Sequence, residues 1–542
     1  MKKILWLILI LLFVGCEDQS VKQHITAEDN HENELRYALW SAPSGVFAPQ
    51  YELGDYDGTI ISLAYESLVM VNPMDEYEGI LAENWEISED SKSITFYLRE
   101  NVKWHDGKPF TAEDVAFSIY YLADPDYTGS MHYLVTPIKG VKAYRERQVS
   151  EIDGIEIIDS HTIKLSTNTI YAPILEHIGA VRIFPKHIWQ DVKVAEALNN
   201  ESLLLETIGT GPYILESAVL DQYVTMKRNK DYWGGKPNIE YITFEVMNSD
   251  TAKIKMINNE LDFMQITTMD PNELNLFEDA GLSIQEVDYN SFQSIVINNE
   301  HSILKDVNIR KAIARAIDRE LLVDTLIFGH GAIANTVYRE EHSAYPGDNQ
   351  LDFYRYNPDQ AIEDMIHKAN LKYQNGILYN DNEPIELTLI YPSGNKAREL
   401  SAPIIQENLD NIGIKVNLEK VEFSELIKRM ISGDYDMGLI GTGFDLDPDI
   451  SRFFSTETID NGNYSRFSNV ELDALLSEGV KNLDNSERAE IYKEVAIILN
   501  DQLPVIFLYH WSEGRVLSNR LKGITCYPYN HFYDVHNWYL EQ

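Results

Sequence analysis

Three aspartates alternate along residues 441–449, GTGFDLDPD, at Asp445, Asp447 and Asp449. Loop carboxylates at this spacing suit two chemistries: ligating calcium, or accepting charge-assisted hydrogen bonds from a ligand ammonium. The loop lacks the EF-hand layout and its closing glutamate, which argues against calcium. A structural role, as turn or helix-cap aspartates, is the third reading. Trp40, Tyr127, Trp511 and Tyr529 are candidate walls for a ligand of varied shape, and each also reads as core. Arg466, in residues 461–467, NGNYSRF, is a candidate for meeting a ligand carboxylate bidentately.

Catalysis finds no such foothold. There is no GxSxG elbow, no HExxH and no phosphate loop, and the turn at Gly209-Thr210-Gly211 lacks the lysine that a phosphate loop needs. His132, His161, His177 and His187 show no tight ligand spacing. His105-Asp106 sits in a turn, VKWHDGKPF, where a structural role is expected. The sequence gives no reason to expect an enzyme, a cofactor or a metal.

The acidic loop needs a scaffold. It follows a strand expected over 435–440, downstream of a strand at 385–391, a helix at 397–409 and a strand at 414–418. Strand–helix–strand order implies an α/β lobe, and open α/β sheets place ligands at their strand ends. A helix with a buried stripe from Ile309 to Leu321 should stop at Gly329, its charges Arg310, Arg315, Asp318 and Arg319 lying paired on a solvated face. Earlier, Ile94, Phe96 and Leu98 alternate with polar partners as in a half-buried strand, and Ser294 to Asn298 alternate similarly. A helix over 58–68 is also expected. Thr111 and Asp114 form a capping box for the helix carrying Val115, Ile119 and Tyr120. A proline-led strand from Leu503 to Tyr509 returns the chain to its first lobe.

The chain has 542 residues, too many for one core, so two or three domains are expected. Acidic residues number 86 against 45 basic, a net charge of -41. No Lys/Arg stripe exists, so nucleic acid is excluded as a partner. The two cysteines, Cys16 and Cys526, cannot build a disulfide framework. Lys2 and Lys3 precede an eleven-residue apolar run, ILWLILILLFV, too short to span a membrane and suited to a signal peptide core.

Residues 208–237, IGTGPYILESAVLDQYVTMKRNKDYWGGKP, combine a glycine–proline turn, two strand-like runs and an aromatic turn. This stretch, residues 81–120 and residues 309–329 resemble the extracytoplasmic solute-binding proteins of peptide and nickel ABC importers. Residues 251–262 do so too, with Asn259 where a glycine is usual. Phe13-Val14-Gly15-Cys16 resembles a lipobox, with phenylalanine departing from the usual aliphatic residue.

The resemblance implies an α/β, two-lobe clamp of periplasmic-binding-protein type (type II, large cluster C form) with an inserted subdomain. Its expected divisions are a lipoprotein signal, 1–16, ending at lipidated Cys16; a polar tether, 17–34; lobe 1 from 35–57, 191–285 and 506–542; the insertion, 58–190; and lobe 2, 286–505. The implied function is capture of oligopeptides or dipeptides and delivery to ABC permease subunits by a monomer, lipid-anchored outside the cytoplasmic membrane. In peptide-binding relatives an aspartate of the matching segment holds the free amino group. Asp445 is the nearest match, but its spacing to Pro448 is one residue short, so Asp447 stays open. Nickel-chelate or oligosaccharide uptake are the alternatives within the class, and a secreted hydrolase lies outside it.

Overall fold

The computed structural model describes residues 33–541 apart from 53, 267, 289, 290, 444 and 445. Cys16, Asp445 and most of the expected tether therefore lie outside the described residues.

A 13-residue strand, Val505–Leu517, joins two halves of one twelve-stranded sheet. On one side run Ser291–Ile297, Met437–Gly443, Glu386–Pro392 and Lys415–Val421. On the other run Phe263–Ile266, Glu34–Leu39, Tyr241–Val246, Tyr223–Arg228 and Tyr213–Val219. Val505, Ile506, Phe507 and Tyr509 pair antiparallel with Val296, Ile295, Ser294 and Gln293. Further along the same strand, Gly514 to Leu517 pair antiparallel with Ile266 to Phe263.

Each half has its own core. Lobe 2 packs Ile295, Ile313, Leu389, Ile405 and Val495 in one buried cluster. In lobe 1, Tyr37, Phe244 and Phe263 share a cluster with Ile94, Phe96 and Ile119 of the inserted region. The separate four-stranded sheet (Ala82–Ile87, Ser93–Leu98, Thr162–Ser166, Ile155–Asp159) is thus fused to the lobe by packing. Its helix Ala112–Ala123 starts on the capping box: the Thr111 N–H donates to Asp114 Oδ2 at 2.9 Å. Such a cap contributes about 1 kcal/mol.

The glycine–proline turn works by close approach. A Cβ on Gly209 would lie 1.7 Å from the Ala64 carbonyl oxygen, where backbone cannot give way. The Gly209 N–H donates to Nδ1 of His105 at 3.1 Å, and Nε2 of His105 donates to the Gly211 carbonyl at 3.0 Å. Burial lowers the His105 pKa, which keeps the ring in the neutral form this pattern needs. The turn clamps the end of helix Asp55–Ala64 and so fixes Glu66, two residues on.

A second fastening is Asp262, 1 % exposed at the side chain. It accepts from the Arg36 N–H at 2.9 Å, from Arg520 Nε and Nη2 at 2.6 Å each, and from Ser518 Oγ at 3.0 Å. The first strand and the C-terminal segment meet on this one carboxylate.

The structure departs from sequence expectation in several elements. The helix over 58–68 begins earlier and ends sooner, at Asp55–Ala64. Ser291–Ile297 is buried along its whole length, because strands flank it on both sides and Phe292, Ile295, Val296 and Ile297 pack into the lobe-2 core. The expected single helix ending at Gly329 is two, Val307–Ala316 and Arg319–Leu326, broken where Ile317 turns extended and Asp318 caps the second. Arg310 and Arg319 are buried, 2 % and 6 % exposed, and are not surface charges. Arg310 donates to the carbonyls of Leu304, Lys305 and Leu503, and Arg319 to those of Ala334 and Phe507. A guanidinium with five donors can satisfy several unpaired carbonyls at once.

Candidate functional site

A cavity of about 1040 Å³ lies between the two halves and takes walls from both. Trp40, Trp233 and Tyr529 line it from lobe 1, Tyr77 from the region packed against that lobe, and Arg398, Phe423, Asp449 and Arg452 from lobe 2. Trp511 lines it from the shared strand. Its volume is at the upper end of the roughly 300–1,000 Å³ typical of small-molecule sites.

Contacts cross the mouth of the cavity on both sides. On one, Arg452 stacks over Tyr133 at 4.5 Å and its Nη1 donates to the Tyr133 hydroxyl at 3.0 Å. Nearby, the Ala172 N–H donates to the Val480 carbonyl at 2.7 Å, and the Asp447 N–H to Glu176 Oε2 at 2.7 Å. On the other, Lys396 Nζ meets Glu273 Oε1 at 2.8 Å, and Ser41 Oγ donates to Glu422 Oε2 at 3.1 Å. The lobes are shut on each other.

The acidic loop leaves the strand Met437–Gly443 at the cavity, as an open-sheet site requires. Asp445 lies outside the described residues. Asp447 is engaged elsewhere: both its oxygens accept from Arg488, at 2.7 and 2.9 Å, with the two side chains 9 % and 7 % exposed. Asp449 lines the cavity. Its Oδ1 accepts from Ser451 N at 3.0 Å, Ser451 Oγ at 2.5 Å and the Tyr492 hydroxyl at 3.3 Å, while Oδ2 has no donor among the described residues. Burial raises the Asp449 pKa, and His177 opposes that rise.

Trp40, Trp511 and Tyr529 stand on the cavity wall. Tyr127 is buried, off the cavity wall, its hydroxyl donating to the Gln50 carbonyl. Arg466 is held by Glu300 and by Asp460 at 3.2 Å, away from the cavity lining.

Sequence reasoning missed Glu66, Arg398 and Arg452. Glu66 Oε1 accepts from the Tyr232 hydroxyl at 2.7 Å and Oε2 from Trp233 Nε1 at 2.9 Å. Burial pushes its pKa up to about 7, against those donors and Arg99. Arg398 Nε donates to Gln293 Oε1 at 2.9 Å. The Tyr232-Trp233 pair was visible in the sequence as an aromatic turn, but no local signal ties it to a glutamate 166 positions away. Among the described residues no group of His, Cys, Asp and Glu could hold a metal ion, and no helix is long and apolar enough to cross a membrane.

Two α/β lobes bridged by a shared strand and closed on a cavity lined by both define a two-lobe binding protein of the periplasmic-binding type. Residues 76–464 match the model of the bacterial extracellular solute-binding proteins, family 5, and the chain belongs to that family. It is a family of binding proteins, not of enzymes. The chain is 26% identical over 507 residues to the oligopeptide-binding protein AppA of Bacillus subtilis, covering 91% of this chain and 89% of that protein. It is 26% identical over 554 residues to heme-binding protein A of Haemophilus influenzae, covering 97% of each. Among solved structures, AppA of B. subtilis in complex with a nonapeptide superposes with a TM-score of 0.86 at 25% identity, over 94% of this chain and 99% of that one. NikZ of Campylobacter jejuni in complex with Ni(L-His) shares the fold, with a TM-score of 0.81 at 23% identity over 94% and 100% of the two chains.

Proposed function

We propose that this chain is the substrate-binding component of an ABC importer, capturing peptides between its lobes and presenting the closed form to a membrane permease. The carrying observation is the cavity of about 1040 Å³ walled by both lobes, in a chain similar to proteins named for binding oligopeptides and dipeptides. Closure of two lobes over a ligand converts binding into a shape that a partner can read. Backbone hydrogen bonds to an extended peptide give affinity, while roomy side-chain pockets admit varied sequences.

In this reading Asp445 and Asp449 are the carboxylates that offer a ligand ammonium its partner. Trp40, Trp511 and Tyr529 are the aromatic walls. Asp447, paired with Arg488, supports the acidic loop from behind. Lobe 1 is drawn from 35–57, 191–285 and 506–542, the insertion is 58–190, and lobe 2 is 286–505. Lipidation of Cys16 tethers a monomer to the outer face of the cytoplasmic membrane.

Native mass spectrometry of the protein, incubated with a mixed peptide digest and then gently denatured, tests the reading. Released masses that fragment as peptides support it. A single sugar or metal-chelate mass, with no peptide retained from the digest, refutes it.

A further inference from the structure

The lobe-1 end of the cavity is an aromatic box with acidic corners. Tyr527 packs edge-on against Tyr533 at 5.2 Å and against Tyr529 at 6.1 Å. Tyr232 packs against Trp233 at 5.3 Å. All five rings line the cavity. The box is fastened from outside: the Tyr527 hydroxyl donates to the Val71 carbonyl at 2.6 Å, beside the strand Tyr77–Gly79 that carries Glu78.

Three carboxylates, Glu66, Glu78 and Asp534, line the same region. Glu78 Oε2 accepts one long bond from the Tyr533 hydroxyl, at 3.4 Å, and Oε1 has no donor among the described residues. Asp534 is exposed and accepts from Asn537 Nδ2 at 2.8 and 2.9 Å.

The positive charge nearby is occupied. Arg99 lies over Trp233 at 4.5 Å, with Nε donating to the Ile80 carbonyl at 2.6 Å and Nη2 to the Gly79 carbonyl at 3.1 Å. His536 packs edge-on against Tyr232 and lies 3.4 Å from Asp534; burial lowers its pKa, and Asp534 opposes that shift. Arg182 is ion-paired with Glu52, and the cavity's other arginines, Arg398 and Arg452, belong to lobe 2.

Ring faces attract cations through their quadrupole, and a carboxylate in a partly dry cavity adds a Coulomb attraction stronger than it has in water. We propose that this box is a pocket for a cationic side chain, so that the protein selects peptides bearing lysine or arginine. The proposal rests on the peptide reading above and narrows it. An ammonium or guanidinium there meets ring faces on its flanks and Glu78 and Asp534 at its head.

The test is calorimetry on the protein with alanine pentapeptides carrying lysine at each position in turn, against the same peptides with Nε-acetyl-lysine, which removes the side-chain charge. At one or more positions lysine is expected to bind roughly tenfold tighter or more. The Glu78→Gln, Asp534→Asn double variant is expected to erase that preference. The single Glu78→Gln variant should reduce it severalfold, which keeps the test readable if the double variant folds poorly. Equal binding of lysine and acetyl-lysine peptides at every position overturns the pocket and leaves peptide capture standing. A lysine preference that survives the carboxamide variants also overturns it. Failure of every peptide, all-alanine included, refutes peptide capture itself, and the pocket with it.

Discussion

Replacing Arg488 by methionine probes how the acidic loop is held. Arg488 stands in the first turn of the helix Asn485–Gln502. It donates twice to Asp447, at 2.9 and 2.7 Å, and once to the Gly479 carbonyl at 2.9 Å. Both side chains of the pair are less than a tenth exposed. Methionine keeps much of the stem's packing but leaves Asp447 buried without its cation, and breaking a buried pair in this way costs about 3–5 kcal/mol. For a chain of this length each kcal/mol lowers the melting midpoint by about 1 °C when both lobes melt together. Arg488→Met is therefore expected to melt about 4 °C below the native protein. Asp447→Asn should cost less, since the guanidinium keeps the Gly479 carbonyl. The double variant should be more stable than the two losses summed, by about 2 kcal/mol, because no unpaired charge remains. Chemical denaturation of the four proteins gives the cycle. A coupling energy near zero would refute the reasoning, showing that the pair organises nothing. Peptide affinity of Arg488→Met should also fall, as the segment around Asp447 and Asp449 loses its rear support.

Three further outcomes follow from the same geometry. Folded Glu66 titrates near 7, and the unfolded side chain near its ordinary 4.5. Stability from this group is therefore full in acid and is lost as pH rises to about 7, by up to about 3 kcal/mol. The stability of the native protein relative to Glu66→Gln should fall between those pH values and level off above them, as read from denaturation curves across pH. Gly209→Ala drives a Cβ into the Ala64 carbonyl oxygen and should cost more than about 3 kcal/mol, seen as lost soluble yield or a depressed melting midpoint. Asp262→Asn should destabilise by about 3 kcal/mol, because two arginines lose the carboxylate they share. An unchanged denaturation midpoint would show that the hub carries no net stability.

What the sequence showed was whatever its signals kept local. The capping box at Thr111 and Asp114 spans four residues and forms as written. The alternation of Ile94, Phe96 and Leu98 places all three in the core. The turn at residues 209–212 was readable as a turn, but its reason, contact with Ala64, was not, because that neighbour is remote in sequence. Arg310 and Arg319 carried the pattern of a solvated helix face, and only the tertiary fold shows the carbonyls that bury them. The strand Val505–Leu517 runs well past the aliphatic stretch expected to end at Tyr509, because its second half, HWSEGRVL, is polar in sequence yet paired in the sheet. The site divides the same way. Trp40, Trp511 and Tyr529 were found as aromatics of promising type. The box around Glu66 and Glu78 was not, since it gathers residues from three distant stretches.

The shared strand also dictates an order of events in biosynthesis. Lobe 1 opens with Glu34–Leu39 near the start of the chain, and Phe263–Ile266 pairs with it on one edge, yet the other edge of Phe263–Ile266 has no partner until Val505–Leu517 has been made. Asp262 likewise waits for Ser518 and Arg520. Lobe 1 therefore reaches its native form only once Val505–Leu517 and Arg520 have been made, long after its first strand.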